Sequence, residues 1–256
     1  MKTLDTPSEE QFKQDGYVLV PHAFDPGLSE PVCRFFFDEW GVDPADRNTW
    51  QTGKTLIQKS LELPELYTDR VTGALDDLVG EGRYPLPTGT GYILGSLPGF
   101  REKPWGIDGG HMDGAHFHHH IHSREQALIL LFLFTDVDPE GGGTWIAPGS
   151  HHVTARALNE AVPDGLAPGD LAKQVRTQLD LRPERMIEAT GRAGDVLLMH
   201  PFVYHGSSTN TNDRIRVASN VCVSAHEPLR VDGNTPYTAL SPVEQAIIDE
   251  LKPATA

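Results

Sequence analysis

Short apolar runs separated by glycine and proline dominate the chain from residue 84 onward. The runs are GYILGSL, ALILLFLF, TWIA, VLLM and RIRVASNVCV. Many short strands joined by turn-rich loops predict a sandwich or a closed double sheet. The run over 127–134 lacks apolar/polar alternation, which predicts a strand covered on both faces. The segment DVDPEGGGT after it predicts a turn, and AVPDGLAPGD over 161–170 predicts a surface loop.

Helical patterns occupy the first third of the chain. Thr6 with Glu9 forms a capping-box pattern for a short helix, which Gly16 ends before a strand over 17–20. The segment over 28–40 has apolar residues on several faces, so a helix there would be well buried.

Two further helices are predicted by spacing and capping residues. One ends at Gly80, because apolar residues recur at helical intervals before it, at Leu66, Val71, Leu75, Leu78 and Val79. Near the C-terminus, Ser241, a following proline and Glu244 form a helix start. The chain therefore predicts a mainly β protein with flanking helices and a helical N-terminal part. Because no internal repeat or low-complexity linker interrupts it, we expect a single domain over residues 1–256.

Composition narrows the partners and the compartment. The chain carries 36 Asp plus Glu against 21 Lys plus Arg, a net charge of −15, which repels phosphate backbones and anionic membranes. We therefore expect no nucleic-acid and no membrane partner. Cys33 and Cys222 lie far apart in apolar contexts, which predicts buried free thiols and a reducing cytoplasm. The longest apolar run, 127–134, is too short to cross a bilayer, and no signal peptide is evident at the N-terminus.

The stretch HMDGAHFHHHIH over 111–122 is the first candidate for chemistry. Residues i and i+2 of an extended segment project to the same side, so His111 and Asp113 can present an imidazole and a carboxylate to one metal. His205 is the best third ligand, with His200 as its rival. Two histidines and one carboxylate on one face of an octahedron leave three positions open, which suits Fe(II) that binds a cosubstrate and O₂ together.

A cation suited to anchoring a cosubstrate follows the third ligand. A chelating 2-oxo acid supplies electrons for O₂ cleavage when a fixed cation holds its far carboxylate. Arg216 lies on the alternate face from its apolar neighbours, and its guanidinium can clamp a carboxylate with two hydrogen bonds. Ser207 could add a further hydrogen bond. Arg214 is the alternative cation, but the spacing from His205 favours Arg216.

Four segments together resemble the phytanoyl-CoA dioxygenase family: SEEQFKQDGYVLVPHAF, HMD, DVDPEGGGTWIAPGSHH and HGSSTNTNDRIR. The likeness covers residues 8 to about 224. It implies a double-stranded β-helix, a cupin-like jelly roll, that holds Fe(II) and 2-oxoglutarate. Matched position by position, it implies that the metal ligands are His111, Asp113 and His205, and that Ser207 and Arg216 hold the distal carboxylate of 2-oxoglutarate.

The resemblance also implies a reaction. An unactivated C–H bond of a small molecule is oxidised with O₂, with release of succinate and CO₂, usually in specialised metabolite biosynthesis. Asp113 favours hydroxylation over halogenation, because a halogenating subgroup has Gly or Ala there; desaturation and ring formation stay open. The chain departs from the family at Gly110, often Trp, and at Gly206, where HGSS replaces HSG. We expect both departures to bear on the substrate side.

Two other functions fit the same residues. A zinc hydrolase on a similar barrel would use His111, Asp113 and His205 to activate water and would not need Arg216. A non-catalytic metal-binding barrel would collect several metal ions on the histidine tract.

Other polar and aromatic residues have weaker predicted roles. If the tract forms a strand, His119 points away, whereas one face near the mouth of the site is lined by His116, His118, His120 and His122. We interpret His151 and His152 as structural loop residues. Loops over 41–60 and 100–110 could cover a small substrate with Trp50, Arg101, Lys103 and Trp105. The sequence does not indicate an oligomeric state.

Overall fold

The computed structural model describes residues 2–50, 54–99 and 109–252. The α-helices in these ranges are α1 Thr6–Asp15, α2 Ser29–Trp40, α3 Asp69–Val79, α4 Ser150–Glu160, α5 Pro168–Arg176 and α6 Pro242–Leu251. The strands are β1 Tyr17–Val20, β2 Lys54–Ile57, β3 Tyr92–Ser96, β4 Leu128–Leu133, β5 Thr144–Ile146, β6 Ile187–Glu188, β7 Val196–Met199, β8 His205–Ser207 and β9 Arg216–Val223. Short 3-10 helices occupy Pro26–Leu28, Arg47–Thr49, Pro64–Leu66, Pro183–Arg185 and Tyr237–Ala239.

The strands form two antiparallel sheets. The larger sheet has six strands in the order β1-β7-β4-β9-β3-β2, and the smaller has the order β6-β5-β8. An apolar core joins them, because Ile129 and Ala218 of the larger sheet pack in one cluster with Ile146 of the smaller sheet. The mainly β architecture predicted from the short apolar runs is confirmed.

Strand β4 is buried on both faces, as the lack of alternation in its sequence predicts. All six of its residues are buried. Leu128, Leu130 and Phe132 belong to the cluster that includes the helices. The alternate residues Ile129 and Leu131 belong to the cluster between the two sheets.

The predicted helices form with one change of cap. The N-cap of α1 is Asp5, whose side chain accepts a hydrogen bond from the Ser8 backbone N–H, so the prediction of Thr6 as the cap is wrong. Gly16 ends α1 in the left-handed region with φ 83°. Helix α6 has the predicted capping box between Ser241 and Glu244.

Three local predictions are wrong. The segment 161–170 is a loop only in its first part, because α5 begins at Pro168, a residue suited to the first turn of a helix. His151 and His152 lie in the first turn of α4 rather than in a loop. Cys33 and Cys222 are both free thiols, but Cys33 is half-buried and Cys222 is exposed.

No helix among the described residues combines the length and the apolar character needed to cross a bilayer.

Candidate metal centre

Backbone pairing brings two of the predicted ligands together. The His111 N–H donates to the His205 carbonyl at 2.9 Å, and the His205 N–H donates back at 2.9 Å. The two imidazole centroids lie 4.7 Å apart. Asp113 follows on the same side as His111, while Met112 between them is buried in the core at 6% exposure. The His111 and Asp113 side chains therefore project to the same side, as predicted for residues i and i+2 of an extended segment.

Backbone carbonyls orient both imidazoles. His111 Nδ1 lies 3.0 Å from the Gly109 oxygen, and His205 Nδ1 lies 3.0 Å from the Val203 oxygen. Because a carbonyl oxygen only accepts, each Nδ1 carries a proton, which leaves Nε2 as the ring nitrogen that faces Asp113 and could bind a metal. The Nε2 of His111 is 3.3 Å from Asp113 Oδ1, and that of His205 is 3.7 Å from Oδ2.

The three side chains make a donor set that suits a divalent cation. One potential ligand atom from each lies within 4.8 Å of the others, and the described residues form no second such group. Burial lowers the pKa of His205, which favours the neutral imidazole. Burial alone would raise the pKa of Asp113, but His205 and hydrogen bonds from His111 and Asn220 lower it well below its usual range. The hydrogen bond to Asp113 raises the pKa of His111.

The group opens into a cavity of about 300 Å³ that also contains the other predicted site residues. The lining residues are Leu56, Tyr92, Leu94, Gly95, His111, Asp113, Leu131, Thr144, Met199, His205, Gly206, Ser207, Arg216 and Asn220. Ser207 lies two residues beyond His205 on β8, so both side chains project to the same side of the strand. The structure therefore brings all five predicted residues to one cavity.

Arg216 is a buried cation in this cavity, with 4% exposure. Its Nε and Nη2 donate to the Gly142 carbonyl at 2.8 and 2.6 Å, and its Nη1 donates to the Leu94 carbonyl at 3.1 Å. Burial lowers the pKa of Arg216 to about 10, so the guanidinium stays charged at neutral pH. Carbonyl oxygens orient the group without neutralising it, which suits it to bind a carboxylate. Arg214, the alternative cation, is exposed and pairs with Asp138.

His200, the rival ligand, is a core residue. Its Nε2 lies 3.1 Å from the Val243 oxygen, and its Nδ1 accepts from the Phe202 N–H. Burial lowers the pKa of His200 to about 3. Both ring nitrogens are engaged within the fold, and the residue does not line the cavity.

The histidine tract does not form a strand. Residues 112–122 run through turns and bends, with backbone bridges at His111 and His119. His119 is buried, with its Nε2 3.1 Å from the Gly114 oxygen. The alternation of side chains along a strand therefore does not determine which way the histidines of the tract point. None of its other histidines, from 116 to 122, lines the cavity around His111.

The two departures from the family pattern are packing positions. A Cβ on Gly110 would lie 2.4 Å from the Tyr204 ring and 2.7 Å from the Trp145 ring. A Cβ on Gly206 would lie 2.7 Å from the Trp145 indole. Trp145 and Tyr204 are buried against each other with ring centroids 5.8 Å apart. The side-chain directions at both glycines are filled by these rings, although Gly206 itself lines the cavity, and the expectation that both positions bear on the substrate stays a prediction.

The predicted covering loops are only partly described. Arg101, Lys103 and Trp105 lie outside the described residues, as do residues 51–53. Trp50 is buried at 9% exposure, and its Nε1–H donates to the Asp43 carbonyl at 2.9 Å. Trp50 therefore packs its own loop and is not among the residues that line the cavity.

Sequence reasoning missed Asn220, which lies on β9 and contacts Asp113 directly. Its Nδ2 donates to Asp113 Oδ2 at 2.7 Å. The sequence does contain one indication, because residues 216 and 220 of a strand face the same side, so Asn220 should face the cavity with Arg216. Nothing in the sequence indicates that Asn220 contacts Asp113.

Comparison with known proteins gives one family. The family model of phytanoyl-CoA dioxygenase matches residues 12–218. No curated protein sequence matches the chain.

Solved structures match the fold at low sequence identity. The non-heme α-ketoglutarate-dependent carbocyclase SnoK from nogalamycin biosynthesis is 18% identical with a TM-score of 0.54, covering 90% of this chain and 88% of that one. EctD from S. alaskensis with bound Fe is 19% identical with a TM-score of 0.53, covering 88% and 78%. HygX from Streptomyces hygroscopicus with nickel and 2-oxoglutarate is 17% identical with a TM-score of 0.52, covering 87% and 88%. The fold is the expected double-stranded β-helix, with helices packed around it.

Proposed function

Because the chain belongs to the phytanoyl-CoA dioxygenase family and is an oxidoreductase of that type, we propose that it uses Fe(II), 2-oxoglutarate and O₂ to hydroxylate an unactivated C–H bond of a small molecule. Succinate and CO₂ are the coproducts. The observation that carries the proposal is the convergence of two oriented Nε2 atoms and the Asp113 carboxylate on a cavity that also contains the Arg216 guanidinium.

His111, Asp113 and His205 are the residues that would hold the iron. Two neutral imidazoles and one carboxylate compensate one charge of a divalent ion and leave positions open for other ligands. When bound, the iron supplies the activation of O₂ and the oxidation of the substrate.

Arg216 and Ser207 would hold the distal carboxylate of 2-oxoglutarate. Fixed carbonyl partners restrict the guanidinium to one orientation, so little side-chain entropy remains to be lost on binding. The apolar side chains of Leu94, Leu131 and Met199 line the same cavity and keep water away from the reacting groups.

The substrate in this proposal is a small molecule, and neither nucleic acid nor a membrane is a partner. HygX has been solved with hygromycin B bound, and the carbocyclase SnoK comes from nogalamycin biosynthesis, so this fold occurs in the biosynthesis of a specialised metabolite. We extend that setting to this chain, as a single-domain cytoplasmic enzyme. We propose hydroxylation rather than halogenation, because the family resemblance implies that halogenating relatives have no carboxylate at the position of Asp113.

Anaerobic titration of the apoprotein with Fe(II) and 2-oxoglutarate tests the proposal. We expect a weak visible metal-to-ligand charge-transfer band at one iron per chain. The Asp113→Ala variant should bind no metal and therefore show no band. The Arg216→Ala variant should still bind the metal, but a higher 2-oxoglutarate concentration should be needed to produce the band. The proposal fails if no band appears.

The same variants also distinguish the two alternative functions, a zinc hydrolase and a non-catalytic metal-binding barrel. A zinc hydrolase would keep full activity in Arg216→Ala. A non-catalytic metal-binding barrel would load several metal ions per chain without turnover.

A further inference from the structure

Asn220 is held in the middle of the larger sheet. It lies on β9 opposite Tyr92 of β3 and opposite Leu131 of β4, so its backbone is paired on both sides. Its side chain lines the cavity and reaches Asp113, a residue 107 positions away in sequence. A rigid strand therefore carries one partner of this contact.

Asp113 itself lies outside any strand. It follows His111, which is part of an isolated bridge, and precedes Gly114, whose φ is 102°. The backbone on its C-terminal side is therefore a turn rather than a paired strand. The orientation of the Asp113 carboxylate depends on side-chain contacts more than the orientations of the two imidazoles do, since backbone carbonyls orient those.

The Asn220 amide gives the carboxylate a fixed donor. An ionised carboxylate only accepts, so the amide presents its N–H to Asp113 Oδ2, at 2.7 Å. The Cys222 thiol is also near this oxygen, but at 3.8 Å it is a weak contact. Asn220 is thus the strong hydrogen-bond partner of Oδ2 on this side of the carboxylate.

We propose that Asn220 is a positioning residue that occupies Asp113 Oδ2 and thereby makes Asp113 a one-oxygen metal ligand. A carboxylate that bound through both oxygens would consume one of the open positions that the cosubstrate and O₂ require. Loss of the amide frees the carboxylate to turn between the two imidazoles. This inference rests on the proposed metal site and adds the residue that sets how Asp113 binds there.

The test compares metal affinity in three variants and the wild-type protein. Asn220→Leu keeps a similar side-chain size without a donor, and Asn220→Ala removes the side chain beyond Cβ. Ser219→Ala is the matched control, because Ser219 is the adjacent β9 residue, is buried, and has an Oγ without a hydrogen-bond partner. Anaerobic calorimetric titration with Ni(II) should show affinity about 10- to 100-fold weaker in both Asn220 variants, and unchanged in Ser219→Ala.

A spectroscopic readout separates positioning from general loosening of the fold. With Fe(II) and 2-oxoglutarate, both Asn220 variants should show a shifted or weakened charge-transfer band at saturating metal, whereas their thermal unfolding midpoints should stay near that of Ser219→Ala. Wild-type affinity and an unchanged band in either Asn220 variant would overturn the proposal and leave the oxygenase function standing. If the wild-type protein binds no metal, the proposed function fails instead.

Discussion

Backbone carbonyls orient the nitrogen-bearing side chains of the candidate site. The Gly109 and Val203 oxygens hold the Nδ1 atoms of His111 and His205, and the Gly142 oxygen holds Arg216. Because these partners are main-chain atoms, side-chain substitutions do not remove them, and the backbone sets the directions of the three groups. Substituting His111, His205 or Arg216 singly should therefore weaken the binding of metal or cosubstrate, while the other two side chains keep their orientation.

Arg216→Lys should weaken 2-oxoglutarate binding although it keeps a positive charge. The planar guanidinium is held by the Gly142 and Leu94 carbonyls. A lysine ammonium cannot present two parallel N–H donors in one plane, as a guanidinium does. Losing one charge-assisted hydrogen bond costs about 1.5–3 kcal/mol, so we expect a dissociation constant at least about tenfold higher. Anaerobic titration with 2-oxoglutarate at saturating Fe(II) measures it.

The matched control for this prediction is Arg214→Lys. Arg214 is an exposed arginine two residues earlier that pairs with Asp138 and does not line the cavity. An equal loss of 2-oxoglutarate affinity in both variants would contradict the role of Arg216.

Gly110→Ala should destabilise the fold. Its new methyl group would lie 2.4 Å from the buried Tyr204 ring and 2.7 Å from the Trp145 ring, so one of these rings must shift. Forcing an extra carbon into a packed core costs about 1–3 kcal/mol. Urea unfolding measures the change. Gly169→Ala on α5, where a Cβ meets nothing within 4 Å, is the control and should be neutral or stabilising.

Part of the site could be predicted at the residue scale. The parity of His111 and Asp113 is local, so the sequence alone predicts that they face one side. Asn220 could not be placed, because its partner Asp113 depends on how a turn and a strand 107 residues apart come together. The exclusion of a side chain at Gly110 depends in the same way on two distant aromatic rings.

At the scale of elements, one buried carboxylate helps to hold α6 against the rest of the molecule. Glu244, in its first turn, is fully buried and accepts hydrogen bonds from the guanidinium groups of Arg83 and Arg230. Its Oε2 also accepts from the Ser241 N–H. Glu244, which completes the capping box of α6, therefore also attaches the helix to the segment after α3.

Glu244→Gln should lower the free energy of unfolding by about 3 kcal/mol at pH 7, because it leaves two guanidinium groups without their counter-charge. Burial alone would raise the pKa of Glu244, but the hydrogen bonds from Arg83 and Arg230 lower it to about 2. The carboxylate therefore stabilises the fold above pH 4.5, the ordinary value, and this contribution is lost as the pH falls towards 2.

Urea unfolding at pH 7 and pH 3 checks this prediction. The difference between wild type and Glu244→Gln should be smaller at pH 3. The exposed Glu227→Gln is the control and should match wild type at both values. A difference between wild type and Glu244→Gln that stays the same at pH 3 would contradict the assignment.

Elements with local signals could be predicted, and those that depend on context could not. Helix α6 carries its capping box in sequence, and β4 shows its burial by unbroken apolar composition. The start of α5 was not predicted, because proline and glycine usually indicate loops. Pro168 is nevertheless compatible with a helix, since it occupies the first helical position. The turns of the histidine tract were missed because parity arguments assume an extended backbone.

At the scale of the whole molecule, buried histidines connect three helices to the end of β7. His151 on α4 has its Nε2 3.0 Å from the Lys13 oxygen of α1. His200, directly after β7, has its Nε2 3.1 Å from the Val243 oxygen of α6, and the rings of His151 and His200 lie 4.9 Å apart. His151 Nδ1 is buried without a hydrogen-bond partner. A proton added to this cluster would bring an unpaired charge into the core.

The cluster should make the apoprotein sensitive to acid at a pH where carboxylates are still ionised. Burial lowers the pKa of His200 to about 3 and that of His151 well below its ordinary value of 6.5. Below pH 6.5 the unfolded chain therefore binds protons that the folded chain does not, so stability falls as the pH falls. The slope approaches about 1.4 kcal/mol per pH unit for each such histidine.

Urea unfolding of the metal-free protein between pH 6.5 and pH 5 measures how the free energy of unfolding changes with pH. The His200→Gln variant should have a smaller slope, by the contribution of one histidine. His226→Gln, which replaces an exposed histidine, should leave it unchanged. His111 and His205 are present in all three proteins, so their titration cancels in the comparison. If His200→Gln has the wild-type slope, the acid sensitivity arises elsewhere, and the buried cluster is not what couples the helices to pH.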